Sequence, residues 1–470
     1  MTVKWGDIGI GDVIFPIQGK LISGDPETLI FGISTDSRDI SPGEIFLALG
    51  GKNYDGHNFI DLALEKGASG VIIEQGFPLK GLEDTGHAVI AVADTLKALG
   101  DLAHWWRHQH DVQVAVITGS VGKTITKEMT ACILELGTRT LKTRGNLNNL
   151  IGLPLTILGM KQEDSRAVLE MGMNLSGEIS RLTEIADPDI GLITNVAKAH
   201  LEGLSNIMGV ALAKAELLER ISPEGRVLLN GDDELLMKVA AGFKQNILTY
   251  GIGQENDFRA ENVQNMGPEG ISFELHYQGN CILIRLNVPG PQNVYNGLAA
   301  AAIAICMGST PDQIAQGLGR FNGVKGRFML INLPAGVTLL DDTYNSNPSS
   351  LRAAIDSVKE MTAQGRDIII GLGDMLELGD EAVSAHLKAG SWVTELGTPY
   401  LLTIGNHAPE IIAGAIDKGL PRERAVIVEN KKEMAEMIQD VMKEGDLILL
   451  KGSHLIGLNE VSSLLQGKNG

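Results

Sequence analysis

An α/β protein in three domains is what this sequence predicts: a small mixed domain, a central mostly parallel sheet of the phosphate-loop type, and a doubly wound C-terminal domain. Apolar runs alternate with amphipathic helical stretches along most of the chain, the signature of parallel strands covered by helices. A second alternating series starts near residue 325. The length, 470 residues, corresponds to about three domains at the usual ~150 residues each.

Residues 1–90 form the first predicted domain. "LIFGISTDSRDISPGEIFLALGG" and "GASGVIIEQG" are β-type runs with turns, and "NFIDLALEKG" has helical spacing. The central domain is placed at 91–324. It opens with a helical stretch, "AVADTLKALGDLAHWWRHQH", and continues with apolar runs at 112–118, 167–171, 190–196 and 226–229 as strands. "ISFELHYQGNCILIRLNV" shows two period-2 runs around a Gly-Asn turn, which predicts a hairpin extending the sheet in antiparallel fashion. "LAAAAIAICMG", 298–308, is too short to span a membrane and reads as a buried helix. The third domain, 325–470, offers five strands: "VTLLDD", "DIIIGLG", "YLLTIG", "AVIVEN" and "DLILLKG". Between the first two, Leu351, Ala354, Ile355, Val358 and Met361 fall on one helical face.

Composition narrows the function classes. A net charge of −19 disfavours general binding to nucleic acid or to an anionic membrane. Any anionic ligand then needs a local pocket of basic groups and N–H donors. The three cysteines, Cys132, Cys281 and Cys306, are far apart without metal-ligand spacing and fit a reducing cytoplasm. The N-terminal "MTVKWGDIGIGDVIF" has no secretory signal pattern.

The stretch richest in chemistry is "VAVITGSVGKTITKEM", 114–129: an apolar strand, a glycine turn with a lysine, and a helix start. Gly119, Ser120, Val121, Gly122, Lys123 and Thr124 form a candidate phosphate loop, although the usual first glycine position holds Ile117. Lys123 would reach terminal phosphates and Thr124 would place its hydroxyl on Mg²⁺. An ordinary strand-to-helix turn is the alternative, and the flanking strand and helix disfavour it. Glu170 ends the next strand, either as a metal-holding acid or as a surface acid where the strand leaves the sheet. His200 follows a strand end, where α/β sheets bind ligands, yet by itself a cap or core histidine is the better reading. Lys214 lies on an amphipathic helix, and by itself reads as a solvated lysine. Arg327, Asp341, Asp342, Tyr344, Asn345 and Asn347 gather around a strand end in a turn closed by Pro348. They fit an interdomain cleft, and turn chemistry explains the asparagines equally well.

Taken in order, these pieces resemble the Mur ligase family over nearly the whole chain. The similarity rests on "STDSRDISPGEIFLALGGKNYDGHNFIDLALEKGA", "TGSVGKTITKEM", "GNLNNLIGLPLTIL", "EMGMNLSGEI", "ITNVAKAHLEG", "DDTYNSNPSSLRAA", "LGDMLELG" and "LLKGSH". The resemblance implies a uridine-binding first domain and an ATP-dependent amide ligase. ATP would phosphorylate the terminal carboxylate of a UDP-MurNAc-tripeptide. The amine of D-alanyl-D-alanine would then attack the acyl phosphate. It also implies two Mg²⁺ ions, held by Thr124, Glu170, His200 and an N-carboxylated Lys214. Asn293 and Asn296 are placed on the adenine side, with Arg327 and Asp342 reaching ATP from the third domain. Ser37 and Arg38 match the uridine-side motif. Asn146, Asn148, Asn149 and Thr156 are expected to face the muramoyl-peptide, with Tyr344, Asn345 and Asn347 also on the substrate side. A cytoplasmic monomer without nucleic-acid or integral-membrane partners is expected. Gln292, Ala197, His454 and Asn459 depart from the family's usual residues. A branch adding a diamino acid is the alternative, and its Asn-Pro-Arg motif is missing. The other is a non-catalytic homologue, against which the intact phosphate and metal residues count.

Overall fold

The structure, a computed structural model, describes residues 4–51, 54–78, 81–82, 86–197, 201–361, 367–397 and 399–467. Its first sheet contains β1 (Lys20–Ser23), β2 (Ile33–Ser34), β3 (Ile45–Leu47), β4 (Gly70–Glu74) and β5 (Ala88–Val92), in the order β1-β5-β4-β3-β2. Only the β1–β5 pair is antiparallel. Ile60 and Ala63 of α1 (Ile60–Glu65) pack with Val71 and Ile73 on one face. The other face, with Ile45, Leu47, Ile72 and Ile90, shares a core with Leu99 and Leu102 of α2 (Thr95–Arg107). Asp94 caps α2 by accepting from the Lys97 N–H. Trp5 stacks on Trp106 of α2 at 3.9 Å and donates Nε1–H to the Leu158 carbonyl at 3.0 Å. The first domain is thereby packed onto the central one.

The central sheet has nine strands. They are β6 (Gln113–Thr118), β7 (Thr140–Lys142), β8 (Arg166–Glu170), β9 (Ile190–Ile193), β10 (Arg226–Asn230), β11 (Asn246–Gly251), β12 (Phe258–Asn265), β13 (Ile271–Tyr277) and β14 (Asn280–Leu286). The order is β14-β13-β12-β11-β10-β9-β6-β8-β7. It is parallel from β7 to β12, and the β13–β14 hairpin continues it antiparallel. The hairpin turn is Gln278-Gly279 rather than Gly-Asn, for Asn280 already pairs with Tyr277. Both turn residues have positive φ (45° and 79°), as a two-residue primed turn requires. Helices α3 (Lys123–Leu134), α4 (Gly152–Leu158), α5 (Glu178–Ala186) and α6 (Ile207–Arg220) cover the parallel part. The alanine run lies in α7 (Gln292–Cys306), buried between the sheet and α3, where small side chains allow close packing. Among the described residues no helix is long and apolar enough to cross a membrane.

The third sheet has the five expected parallel strands plus one more. β15 (Met329–Asn332) lies antiparallel beside β16 (Thr338–Asp342), and β17 (Ile368–Gly373), β18 (Tyr400–Ile404), β19 (Ala425–Ile427) and β20 (Leu447–Lys451) complete the order β15-β16-β20-β17-β18-β19. The sequence pattern missed β15 because this edge strand is only half-buried and carries no clean alternation. Helix α8 (Pro311–Arg320) closes the central domain, and α9 (Pro348–Met361) follows β16. All five residues of the expected α9 face are buried.

Candidate active site

The loop between β6 and α3 is held from below by the chain leaving β9. Asn195 accepts from the Val121 N–H (3.0 Å) through Oδ1 and donates Nδ2–H to the Val121 carbonyl (3.0 Å). Thr194 Oγ1 donates to the same carbonyl at 2.6 Å, and the Ser120 N–H donates to the Asn195 carbonyl. Two loop N–H groups are thus already used. The donors left for a ligand are in the first turn of α3, at Lys123, Thr124 and Ile125, where a helix has no intrahelical acceptors. Gly119 has φ +143°, and a Cβ there would lie 1.8 Å from Thr194 Oγ1. Gly122, at φ +91°, would place a Cβ 2.5 Å from Asn296 Oδ1. Both glycines are therefore demanded by close approach.

Lys123 folds back, its Nζ donating to the Gly119 carbonyl at 2.7 Å. Burial lowers its pKa, with the Arg327 charge acting in the same direction. Glu170 is 2% exposed, so it is not a surface acid. Its carboxylate accepts from Thr124 Oγ1 (2.9 Å) and Asn148 Nδ2 (2.8 Å). These hard oxygen donors, Thr124 and Glu170, meet at the mouth of the loop, the set a magnesium-bound phosphate uses. Lys214 corrects the reading of a solvated side chain: it is 1% exposed on α6. Burial drives its pKa well below the ordinary lysine value, and the Lys123 charge adds to this. Position 200, the expected histidine ligand, lies outside the described residues.

The third domain forms the opposite wall of a cleft of about 410 Å³. Arg327 stacks over the Tyr344 ring at 3.8 Å, and its Nη2 donates to Thr124 Oγ1 at 3.3 Å. Its Nε is buried without a partner among the described residues. A guanidinium lining the cleft fits an anionic ligand oxygen. Asp342 pairs with Lys451 Nζ at 2.6 Å and accepts from the Phe328 N–H at 3.1 Å. Gln292 accepts from Ser357 Oγ at 3.2 Å, joining the two domains across the cleft. His454 packs beside Tyr344, ring centroids 5.3 Å apart.

Most expected residues converge here: Ser120, Val121, Gly122, Lys123, Thr124, Asn146, Asn148, Asn149, Glu170, Asn293, Asn296, Arg327, Asp342, Tyr344, Asn345 and Asn347 all line the cleft. Several also do local work. Asn149 Oδ1 accepts from the Ile151 and Gly152 N–H groups, and Asn347 Oδ1 from that of Ser350. Asn296 donates to Asn293 Oδ1, and Asn293 to the Pro289 carbonyl. Thr156 is not brought to the cleft; it is buried inside α4 with its hydroxyl donating to the Gly152 carbonyl. Asp341 is fully buried behind the strand and takes the hydroxyls of Thr343 and Ser462. Ser37 and Arg38 stand apart in the first domain, where Arg38 forks onto Asp36 and holds that carboxyl down to about 2. Lys451 was not singled out by the sequence, although "LLKGSH" contains it; a lysine ending an apolar strand was the signal. Asn195 was missed similarly, within "ITNVAKAHLEG".

A phosphate-loop sheet domain facing a doubly wound domain, with a small mixed domain in front, defines an ATP-dependent ligase class. The chain belongs to the Mur ligase family: it matches the Mur ligase middle domain over residues 117–304, the Mur ligase glutamate ligase domain over 326–454, and the Mur ligase family catalytic domain over 29–107. Within that family it is 35% identical to the UDP-N-acetylmuramoyl-tripeptide–D-alanyl-D-alanine ligase of Bacillus subtilis, covering 95% of both chains. It is 36% identical to the Escherichia coli ligase of the same name, covering 96% of each. The solved structure of MurF from Acinetobacter baumannii superposes with a TM-score of 0.88 at 32% identity, over 98% of this chain and 99% of that one. MurF ligase from Thermotoga maritima, solved in complex with ADP, gives 0.82 at 25% identity, over 93% and 97%.

Proposed function

We propose that this enzyme joins D-alanyl-D-alanine to UDP-N-acetylmuramoyl-tripeptide at the expense of ATP, completing a peptidoglycan precursor. Similarity along the full length to ligases named for that reaction supports it. The observation that carries the mechanism is Arg327 of the third domain meeting Thr124, and through it Glu170, across the cleft.

ATP phosphates fit the first turn of α3, with Lys123 and Arg327 beside the γ-phosphate. A carboxylate oxygen of the tripeptide attacks the γ-phosphorus as the bond to the β–γ bridging oxygen breaks, giving ADP and an acyl phosphate. The D-alanyl-D-alanine amine then attacks the acyl carbon. The C–O bond to phosphate breaks, and the amine proton leaves with base. Charge gathers between two anions, so preorganised cations provide most of the stabilisation. Thr124 and Glu170 suit one Mg²⁺, and His200 with an N-carboxylated Lys214 a second; the ions would neutralise phosphate charge when bound. An ammonium cannot ligate a cation. Burial that lowers the pKa favours the neutral amine, the form that reacts with CO₂. Asn293 and Asn296 take the adenine side, Asn146, Asn148, Asn149, Tyr344, Asn345 and Asn347 the peptide side, and Ser37 and Arg38 the uridine side. Three free thiols favour a cytoplasmic location, and the enzyme is read as a monomer.

Phosphate release from ATP should require both UDP-MurNAc-tripeptide and D-alanyl-D-alanine, with the pentapeptide product seen by mass spectrometry. Release with UDP-MurNAc-dipeptide plus a diamino acid instead overturns the assignment.

A further inference from the structure

The spacing of the three cysteines along the chain shows no metal-ligand pattern. Strand pairing creates one. In the outer hairpin of the central sheet, His276 of β13 is directly opposite Cys281 of β14. On the other side of β13, Glu274 is directly opposite Glu261 of β12. Residues two apart on a strand share a face, so all four side chains project from one face. Among the described residues, Glu274, His276 and Cys281 are the one grouping of three metal-ligating residue types whose donor atoms lie within 4.8 Å of one another.

His276 Nε2 is the centre of the group. It lies 3.3 Å from Glu274 Oε2, 3.7 Å from Glu261 Oε2 and 3.7 Å from Cys281 Sγ. Tetrahedral ligands at zinc bond lengths of ~2.0–2.3 Å are about 3.3–3.8 Å apart. The three separations measured from His276 fall in that range without any rearrangement of the backbone. The hairpin ladder keeps them there, pairing every residue from Ile271 to Tyr277 with its partner on β14. Two carboxylates directly opposite on neighbouring strands repel each other unless a cation intervenes. Arg259 takes one oxygen of Glu261, its Nε at 2.7 Å from Oε1. The other oxygen, Oε2, is the one turned toward His276. Asn262 Nδ2 donates to Glu274 at 2.9 Å, the kind of outer hydrogen bond that orients a ligating carboxylate.

We infer that this face is a binding site for a divalent transition metal of the zinc class, ligated by Glu274, His276 and Cys281, with the fourth position open to solvent. A thiolate and an imidazole select against magnesium, which prefers oxygen. None of the four residues lines the ligase cleft, so the site is separate from the magnesium positions proposed there. The metal would join β13 and β14 on their solvent side, with Glu261 of β12 beside His276. The end of β12, paired with this hairpin, touches the third domain, Asn265 Nδ2 donating to Glu360 at 2.6 Å. A clamp here would therefore stiffen the ribbon that meets α9.

The test uses the full-length protein, freed of metal and titrated with Co²⁺. One equivalent should bind with tetrahedral d–d absorption and a thiolate-to-cobalt charge-transfer band, and Zn²⁺ should displace it. Cys281→Ser should abolish the charge-transfer band while keeping the metal-free melting temperature and the ligase turnover of the parent. His276→Ala should weaken binding by about 10-fold or more. Cobalt bound without a charge-transfer band, no stoichiometric binding, or a band that survives in Cys281→Ser would each overturn the site.

Discussion

Replacing Lys214 with methionine should stabilise the protein and end turnover together. Lys214 is 1% exposed, so its amine is held away from water. The charge it feels most is Lys123, of the same sign. Taking a polar group out of water costs ~1–3 kcal/mol. Methionine has nearly the same reach and no polar head, so the variant should gain about 2 kcal/mol at neutral pH. At ~2–4 °C per kcal/mol for a domain of this size, that is a rise of about 6 °C in Tm. The pH dependence has a definite sign. The folded pKa of Lys214 lies below the unfolded one, so between them the unfolded chain binds a proton that the folded chain does not. Wild-type stability then rises with pH through this window up to the ordinary lysine value of ~10.4, and the gap to the variant closes. Thermal melts in CO₂-free buffer at several pH values measure this. Bicarbonate should stabilise the parent and leave the variant unmoved if the amine is carboxylated. A variant melting below the parent at neutral pH, or a gap that widens with pH, refutes the reasoning.

Lys123→Ala should abolish ATP-dependent ligation with the circular dichroism spectrum unchanged; surviving turnover would remove Lys123 from the chemistry. Gly119→Ala combines a positive φ with a Cβ at 1.8 Å from Thr194 Oγ1, so the loop must move and a fluorescent ATP analogue should bind at least ~10-fold more weakly, at about 1.4 kcal/mol per tenfold. Arg327→Lys loses the fork that reaches Thr124 and stacks on Tyr344, and should lower kcat on the order of 10²-fold in steady-state assays. Lys451→Met leaves Asp342 without its charge partner and should destabilise the third domain by roughly 3 kcal/mol in urea unfolding; the double variant with Asp342→Asn should recover part of this loss.

Much of this molecule is legible in the order of its residues, because its signals are local. A strand, two glycines, a lysine and a helix start are contiguous, so the phosphate loop at 119–124 could be read directly. The α9 face could be read because helical periodicity is a short-range property. Glu170 stood at a strand end, and its apolar neighbours already hinted that the carboxylate was buried.

What required the tertiary structure is long-range. Burial of Lys214 depends on α6 packing against the sheet and α5, which no helical pattern states. The pairing of Lys451 with Asp342 joins residues brought together by the parallel β16–β20 register. Thr156 looked like a substrate residue in its motif, but its hydroxyl is used by its own helix. The meeting of Arg327 with Thr124 exists only because two domains close on one cleft. The Glu274–His276–Cys281 cluster makes the same point for the hairpin: period-2 runs announced two strands, but a one-residue change in register would have sent Cys281 to the other face. Composition and local pattern determined which chemistry this chain carries and on which elements. Strand register and domain packing, set by side-chain fit between distant segments, decided which of those groups meet.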